Sequence, residues 1–524
     1  SQRITAEQLH QPVTGDGPGL GISPFYLLCA TPEGRSFIFS HWAFFSQRIT
    51  AEQLHQPVTD GPYQGSTPFY LLCDTTEGRN FIFEHWAFFS QRITAEQLHQ
   101  PLTAKGAYQG NSPFYSLCAT PDGRHFIFEH WEAFFYQRIT AEQLHQPVTG
   151  DGPYQGTSPF YWLCDTPEGR HFMFEHWAFF SQRITAEQLH QPVTGDGPYQ
   201  NSTPFYLLCD TPEGRHFILN HWEFFSQHIT AEQLHQPMTG EGPYQGTSPF
   251  YLLCVTPAGR HFIFEHWDFF SQRITAEQLH QPVTGDSAEQ GSSPFYWLCD
   301  TPEGRNFISS HWDFFSQRIT AEQLHQPVTG DGPAQGISPF YTLCDTTEGR
   351  NLIFERWDFF SQRITAEQLH QPVTGDGPYQ GTSPFYWLCV TPEGRNFIFE
   401  HWAFFSQRIT AEQLHQPVTG DGPYQGTSPF YWLCDTIEGR NFIFENSEFF
   451  SQHITAELTE RFLLDINETG QGTTELTQEL VSDDNMSAVS MHQTPGLSFF
   501  SPGHSFPEGI TDQENHLATA LLPQ

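Results

Sequence analysis

The stretch S-P-F-Y-W-L-C-D-T-P-E-G-R-H-F-M-F-E-H-W-A-F-F-S-Q, residues Ser158 to Gln182, decides the fold, because it returns ten times along the chain. It carries two helix starts. Ser158 is an N-cap hydroxyl before Pro159, whose missing N–H costs nothing at the first helical position. Thr166, Pro167 and Glu168 repeat the signal and add a carboxylate at the positive end of the helix dipole. Where the proline is absent, at Thr75-Thr76, Thr346-Thr347 and Thr436-Ile437, the capping threonine stays.

The second half is rich in Phe, Ile and Trp, which also suit strands, so its period is read from the polar and changeable positions. With His171 as origin these are Glu175, Ala178 and Gln182. At about 100° per residue all four fall within roughly 60°, whereas a strand would scatter them over both faces. The position of Ala178 is Glu132, Glu223, Asp268, Asp313 or Asp358 in other copies, which a solvated face accepts. One long helix is predicted. Phe172, Met173, Phe174, Trp177, Phe179 and Phe180 fill the rest of its circumference, so neighbours must cover it on more than one side.

Outward from this core, Ile184 to Pro192 reads I-T-A-E-Q-L-H-Q-P. Thr185 and Gln188 have capping-box spacing, Leu189 is an apolar anchor and Pro192 a stop, which predicts a short third helix. The following V-T-G-D-G-P-Y-Q-G is a turn by composition. From Ile4 to Ile454 the mean period is 45 residues. The loop at Val58-Thr59-Asp60 is one residue short and Trp131-Glu132-Ala133 one residue long, the latter predicting a bulge or shifted helix end. A repeat of this kind needs its neighbours to bury both sides, as solenoids do.

The 22 Lys and Arg against 59 Asp and Glu leave a formal charge of −37, with a single lysine, Lys105. That sign repels nucleic acid and anionic lipid, so neither is an expected partner. No apolar run reaches a membrane span and no signal peptide is visible. The chain begins in mid-repeat at Ser1, as a fragment or processed product would. Its ten cysteines, from Cys29 to Cys434, fall one per repeat. Equivalent positions in stacked helices lie about 8–10 Å apart, too far for disulfides, so buried thiols and a reducing compartment are expected.

The array is expected to span 1–453. Its tenth repeat has Asn446-Ser447 where the ninth has His401-Trp402, as a last repeat without a following neighbour would. Residues 454–524 lose the period. They read as a cap helix, Ala456 to Ile466, and a largely disordered tail; after residue 454 there are eleven acids and one arginine.

Gly156-Thr157-Ser158-Pro159-Phe160-Tyr161-Trp162-Leu163-Cys164, then Gly169, Met173-Phe174 and Trp177, resembles a divergent, long-period ankyrin repeat. The Ser/Thr-Pro opening matches well; Tyr161 stands where the family has His and Cys164 where it has Ala. The resemblance covers residues 1 to about 453 and implies a helical protein-interaction array whose first helix lines a concave groove. It also implies similarity to ankyrin effectors exported by intracellular bacteria. The acidic Glu475 to Asp484 and Leu521-Leu522 are similar to a C-terminal export signal.

The 27 histidines invite a metal reading. His176 falls within the apolar arc, which predicts burial against a neighbour's backbone, and one copy has Arg356 instead. Neither C-x-x-C nor H-x-x-x-H occurs, so no metal and no cofactor is expected. Catalysis needs one asymmetric cluster, yet every candidate Cys, His, Glu and Arg recurs, and Ala258 replaces the acid of Glu168 in one copy; no enzyme is expected. Glu168 and Arg170 read as dipole partner and inter-repeat ion pair.

Two rows read instead as a binding surface. The residue after Phe-Tyr is Trp162, Trp297, Trp387 and Trp432 in four copies, and Ser116 or Thr342 in two others, which predicts an exposed position. The turns carry Tyr63, Tyr108, Tyr154, Tyr199, Tyr244, Tyr379 and Tyr424. Exposed Trp and Tyr anchor protein interfaces; the alternative is that they pack between repeats. The expected molecule is thus an all-α solenoid of ten repeats, with two main helices and a short third. It binds a protein partner with a basic surface along an aromatic, acidic concave face. The rival fold is a β-propeller or β-solenoid acting as an adhesin or lectin, and the rival activity that of an enzyme fragment.

Overall fold

A computed structural model describes residues 5–14, 21–60, 63–106 and 108–453. The chain divides into two units, 1–462 and 463–524, and every described residue belongs to the first. The expected cap helix and acidic tail lie outside the described residues.

The first unit is a helical-repeat solenoid, and no strand occurs among the described residues. In one repeat a first helix, Pro159–Asp165, is followed by a second, Pro167–Glu175, with Thr166 as C-cap of one and N-cap of the other. Ser158 Oγ accepts from the Tyr161 N–H at 3.2 Å and Thr166 Oγ1 from the Gly169 N–H at 3.3 Å, satisfying first-turn donors. Two helices joined by one residue must cross closely. A Cβ on Gly169 would lie 2.5 Å from the Leu163 carbonyl oxygen, so glycine is what permits the crossing.

His171, Glu175, Ala178 and Gln182 are all exposed, as the period requires. The single long helix is corrected, however. It ends at Glu175; His176 leaves helical geometry at φ −104° and ψ 27°, and a separate turn, Trp177–Phe180, follows. The break lets one apolar sequence serve two cores. Trp177 reaches forward into the next repeat, 4.8 Å from Phe217, 4.9 Å from Phe224 and 5.8 Å from Phe225 between ring centroids, while Phe180 turns back to 6.1 Å from its own Phe172. Beside it Phe174 stacks on Phe217 at 3.7 Å. The same pattern joins Trp402 to Phe442, Phe449 and Phe450 at the last junction, after which Ser447 replaces the indole.

The extra residue at Ala133 becomes a π-helical turn, Trp131–Phe135, closed by the Tyr136 N–H to the Trp131 carbonyl at 2.9 Å. The bulge keeps Trp131 in its socket, 4.9 Å from Phe172. Arg183 finishes the third segment: its guanidinium lies 3.6 Å over the Phe179 ring and donates to the Phe179 carbonyl at 3.0 Å.

The short helix Ala186–Leu189 carries the complete capping box, Thr185 with Gln188. Turns then lock repeat to repeat, since the Thr194 and Gly195 N–H groups both donate to the Gln155 carbonyl of the preceding turn, at 2.7 and 3.0 Å. Gly156 takes φ +90° there, and Asn201 takes φ 72° at the same place one repeat on. Asn201 holds that strained backbone with side-chain bonds to the Pro237 carbonyl and the Gln236 amide, both 2.8 Å. Nine cysteines, from Cys29 to Cys389, are unpaired and buried, and Cys434 is half-buried.

Candidate functional site

The first helix and the turn before it bring three rows to each junction between repeats: the residue after Phe-Tyr, the acid closing the first helix, and the turn tyrosine. The tyrosine of Phe-Tyr is the hinge of the arrangement. Its hydroxyl meets a Ser or Thr hydroxyl of the next turn, as in Tyr251 to Ser292 at 2.8 Å and Tyr341 to Thr382 at 2.6 Å. Where the next repeat has tryptophan, the indole N–H donates to the same hydroxyl: Trp297 to Tyr251 at 3.1 Å, Trp387 to Tyr341 at 2.7 Å and Trp432 to Tyr386 at 2.9 Å. Trp162 stands edge-on to Tyr115 with centroids 6.4 Å apart.

The expected exposure of this position is corrected. Trp387 is only 6 % exposed, and Trp162, Trp297 and Trp432 are half-buried between repeats. Ser116 and Thr342, whose polarity pointed to solvent, are buried too, because their hydroxyls find partners: Ser116 donates to the Asp74 carboxylate at 3.5 Å and Thr342 to the Pro339 carbonyl at 2.8 Å. Of the two expected rows, the turn tyrosines are the exposed one. Tyr63, Tyr108, Tyr154, Tyr199, Tyr244 and Tyr379 are all exposed and Tyr424 is half-buried.

The acids run alongside. Partial burial and the Asp165 charge raise the phenol of Tyr199, and the Asp210 charge adds in the same way to burial at Tyr244. Burial raises the carboxyl of Asp165, opposed by Arg170 and Arg124. Asp345 is pushed up to about 6 by burial against the opposing pull of Arg350, with Asp300 adding to the rise. The pairing of acid with the next repeat's residue follows a rule. Trp162, Trp297 and Trp432 follow Ala119, Val255 and Val390, whereas Asp74, Asp165, Asp210 and Asp300 precede Ser116, Leu207, Leu252 and Thr342. Asp345 with Trp387 breaks it.

The periodic arginines are mostly tied within their own repeats. Arg170 donates to the Cys164 carbonyl at 2.8 Å, and the expected inter-repeat ion pair forms elsewhere, as Arg79 with Asp122 at 2.7 Å and Arg305 with Glu348 at 3.6 Å.

A second surface lies along the short helices, where sequence reading saw only a structural element. A groove of about 1990 Å³ is lined by Glu, Gln, His and Pro of the I-T-A-E-Q-L-H-Q-P segment in successive repeats, including Glu142, His145, Gln146 and Pro147. The signal available in the sequence was that exposed Glu187 recurs in every complete copy of this segment, whereas the exposed position of Ala178 varies between Ala, Glu and Asp. Its histidines also correct the sequence reading. His176, expected to be buried, is half-buried at the helix break, 4.6 Å from the Phe172 ring; the buried one is His190, tilted against Phe205 at 5.0 Å. Burial depresses His190 to about 3. Among the described residues no three His, Cys, Asp or Glu side chains converge as metal ligands, and no described helix is long and apolar enough to cross a membrane. Compared with known protein families and with curated proteins, the chain matches none of them.

Proposed function

We propose that this protein is a non-enzymatic scaffold that binds a partner protein presenting a basic surface, in the manner of the ankyrin arrays it resembles. The observation that carries this reading is the row of exposed turn tyrosines set beside first-helix carboxylates, Tyr199 with Asp165 and Tyr244 with Asp210, repeated along a chain of net charge −37. Tyrosine brings large contact area at low entropic cost, and the carboxylates give the face its sign. Trp162, Trp297 and Trp432 support the row from the repeat junctions and add their remaining exposed area; Trp387 is covered. Repetition of every reactive residue type argues against catalysis, and the helical fold against the adhesin-like β alternative. Nine buried, unpaired cysteines suit a reducing compartment, such as the interior of a host cell that an exported effector would enter.

The test is selection of displayed peptides against the immobilised full chain. Tyr63, Tyr154, Tyr199 and Tyr244 are then changed together to alanine, a residue the same turn position already holds at Ala334. The expected result is enrichment of arginine- and lysine-bearing sequences whose association slows as salt rises, with at least tenfold weaker binding to the fourfold variant at unchanged helicity. Enrichment of sequences without cations, or binding indifferent to the variant, would overturn the reading.

A further inference from the structure

We infer that Asp345, Tyr379, Trp387 and Tyr424 form a receptor for one cationic side chain, arginine or lysine, of the partner. The inference rests on the scaffold reading and assigns it a single dominant contact point. Three aromatic rings meet here across two junctions. Trp387 lies 5.9 Å from Tyr379 and 5.4 Å from Tyr424 between centroids, at interplanar angles of 58° and 80°, and its indole N–H is held by Tyr341. The indole is therefore fixed in place before any ligand arrives.

The acid belongs to the same cluster. The Ser116 to Asp74 bond shows that the acid of one repeat meets the residue after Phe-Tyr of the next, and in the eighth and ninth repeats those residues are Asp345 and Trp387. The Asp345 charge acts on both Tyr379 and Tyr424, which places it near both rings. Among the described residues no hydrogen bond or ion pair holds its carboxylate, because the neighbouring guanidinium groups are committed elsewhere. Arg350 donates to the Cys344 carbonyl at 2.8 Å and to Thr347 Oγ1 at 3.2 Å, and Arg305 pairs with Glu348.

At every other junction a tryptophan follows Ala or Val, and an aspartate precedes Ser, Thr or Leu. Setting a desolvated carboxylate against an indole costs stability unless something compensates, so the exception marks a place where local consistency has been given up. A cation fits both halves of the cluster: its charge pairs with the carboxylate and its face with the outer rings, Tyr379 and Tyr424, which the covered Trp387 packs against and holds apart. Among the described residues the periodic arginines are held by carbonyls and rings of their own repeats, as Arg170 and Arg183 are, which leaves the cation to the partner.

The array supplies its own test variants. Asp345→Val recreates the Val390-Trp432 pair, and Trp387→Leu recreates the Asp165-Leu207 pair, so both should fold; Asp165→Asn removes an equal charge at a junction without tryptophan. Hexa-arginine is titrated into the full chain and into each variant at physiological salt. The expected result is at least tenfold weaker binding for Asp345→Val and for Trp387→Leu, against twofold or less for Asp165→Asn. Equal effects of all three changes, or none from the first two, would overturn the inference and leave the scaffold reading standing. Failure of hexa-arginine to bind the unaltered chain would overturn both.

Discussion

The covered histidines of the short helices have a direct thermodynamic consequence. His99, His145, His190, His235 and His280 are held down to about 3, and His10, His55, His325 and His370 to about 4, by burial. Each stays neutral in the folded chain while its unfolded counterpart takes up a proton near pH 6.5, so the unfolded state binds more protons and stability falls with pH below that point. One such histidine loses about 2 kcal/mol between neutral pH and pH 5. The half-buried carboxyl of Asp345, raised to about 6, acts in the opposite direction but is outnumbered. Chemical denaturation followed by circular dichroism should therefore show a large drop in the unfolding midpoint from pH 7.5 to pH 5. A midpoint that stays level would mean that these imidazoles are not desolvated. Sequence reading placed His190 on its helix but not its burial, because a helix of one turn has too few residues to show which side is covered. It misjudged Ser116 and Thr342 for a related reason. A small hydroxyl in a sequence reads as a solvent signal, yet one carbonyl within reach, such as that of Pro339, is enough to satisfy it indoors.

Among the elements, the two-part second helix divides the work. Its first half and Phe180 close the core of their own repeat, and the tryptophan after the break fills the next. Trp177→Ala should cost about 3–5 kcal/mol, as truncation of a large packed aromatic does, and Trp402→Ala about the same, because each leaves a cavity lined by three phenylalanines of the following repeat. Ser447→Ala should change little. Urea titration of the three variants checks this, and equal small effects would mean the repeats are not coupled through the indole. The helix starts were legible from Ser158-Pro159 and Thr166-Pro167, whose chemistry is local. The break at His176 was not, because polar spacing reports the solvent face alone, and that face continues through the break from Glu175 to Ala178. The Asp345-Trp387 pair stayed hidden as well, since residues in successive repeats become neighbours only once the stacking is known.

In the whole array, periodicity sets the electrostatics. A charged residue that recurs at one place in each repeat has a like charge as its counterpart in the next, and the exposed row Glu142, Glu187 and Glu232 shows this along the short helices. The net charge of −37 therefore strains the folded state by self-repulsion, which salt screens. The melting temperature should rise between 20 and about 300 mM sodium chloride, over the same range in which association with a cationic peptide weakens. A melting temperature that falls with salt would place the dominant charge interactions among the attractive pairs, such as Arg79 with Asp122.

The forward-reaching tryptophan also gives the chain a direction as an object to be cut and rejoined. Each of the first nine repeats carries a plug at one end, and the repeat after it offers a socket, so a block can be moved or duplicated wherever the new seam keeps an aspartate from meeting a tryptophan. Only the tenth repeat lacks the plug. A shortened array closed by Asn446-Ser447 is a finished article, whereas one cut after any earlier repeat carries a bare indole that will adhere to the open socket of another molecule.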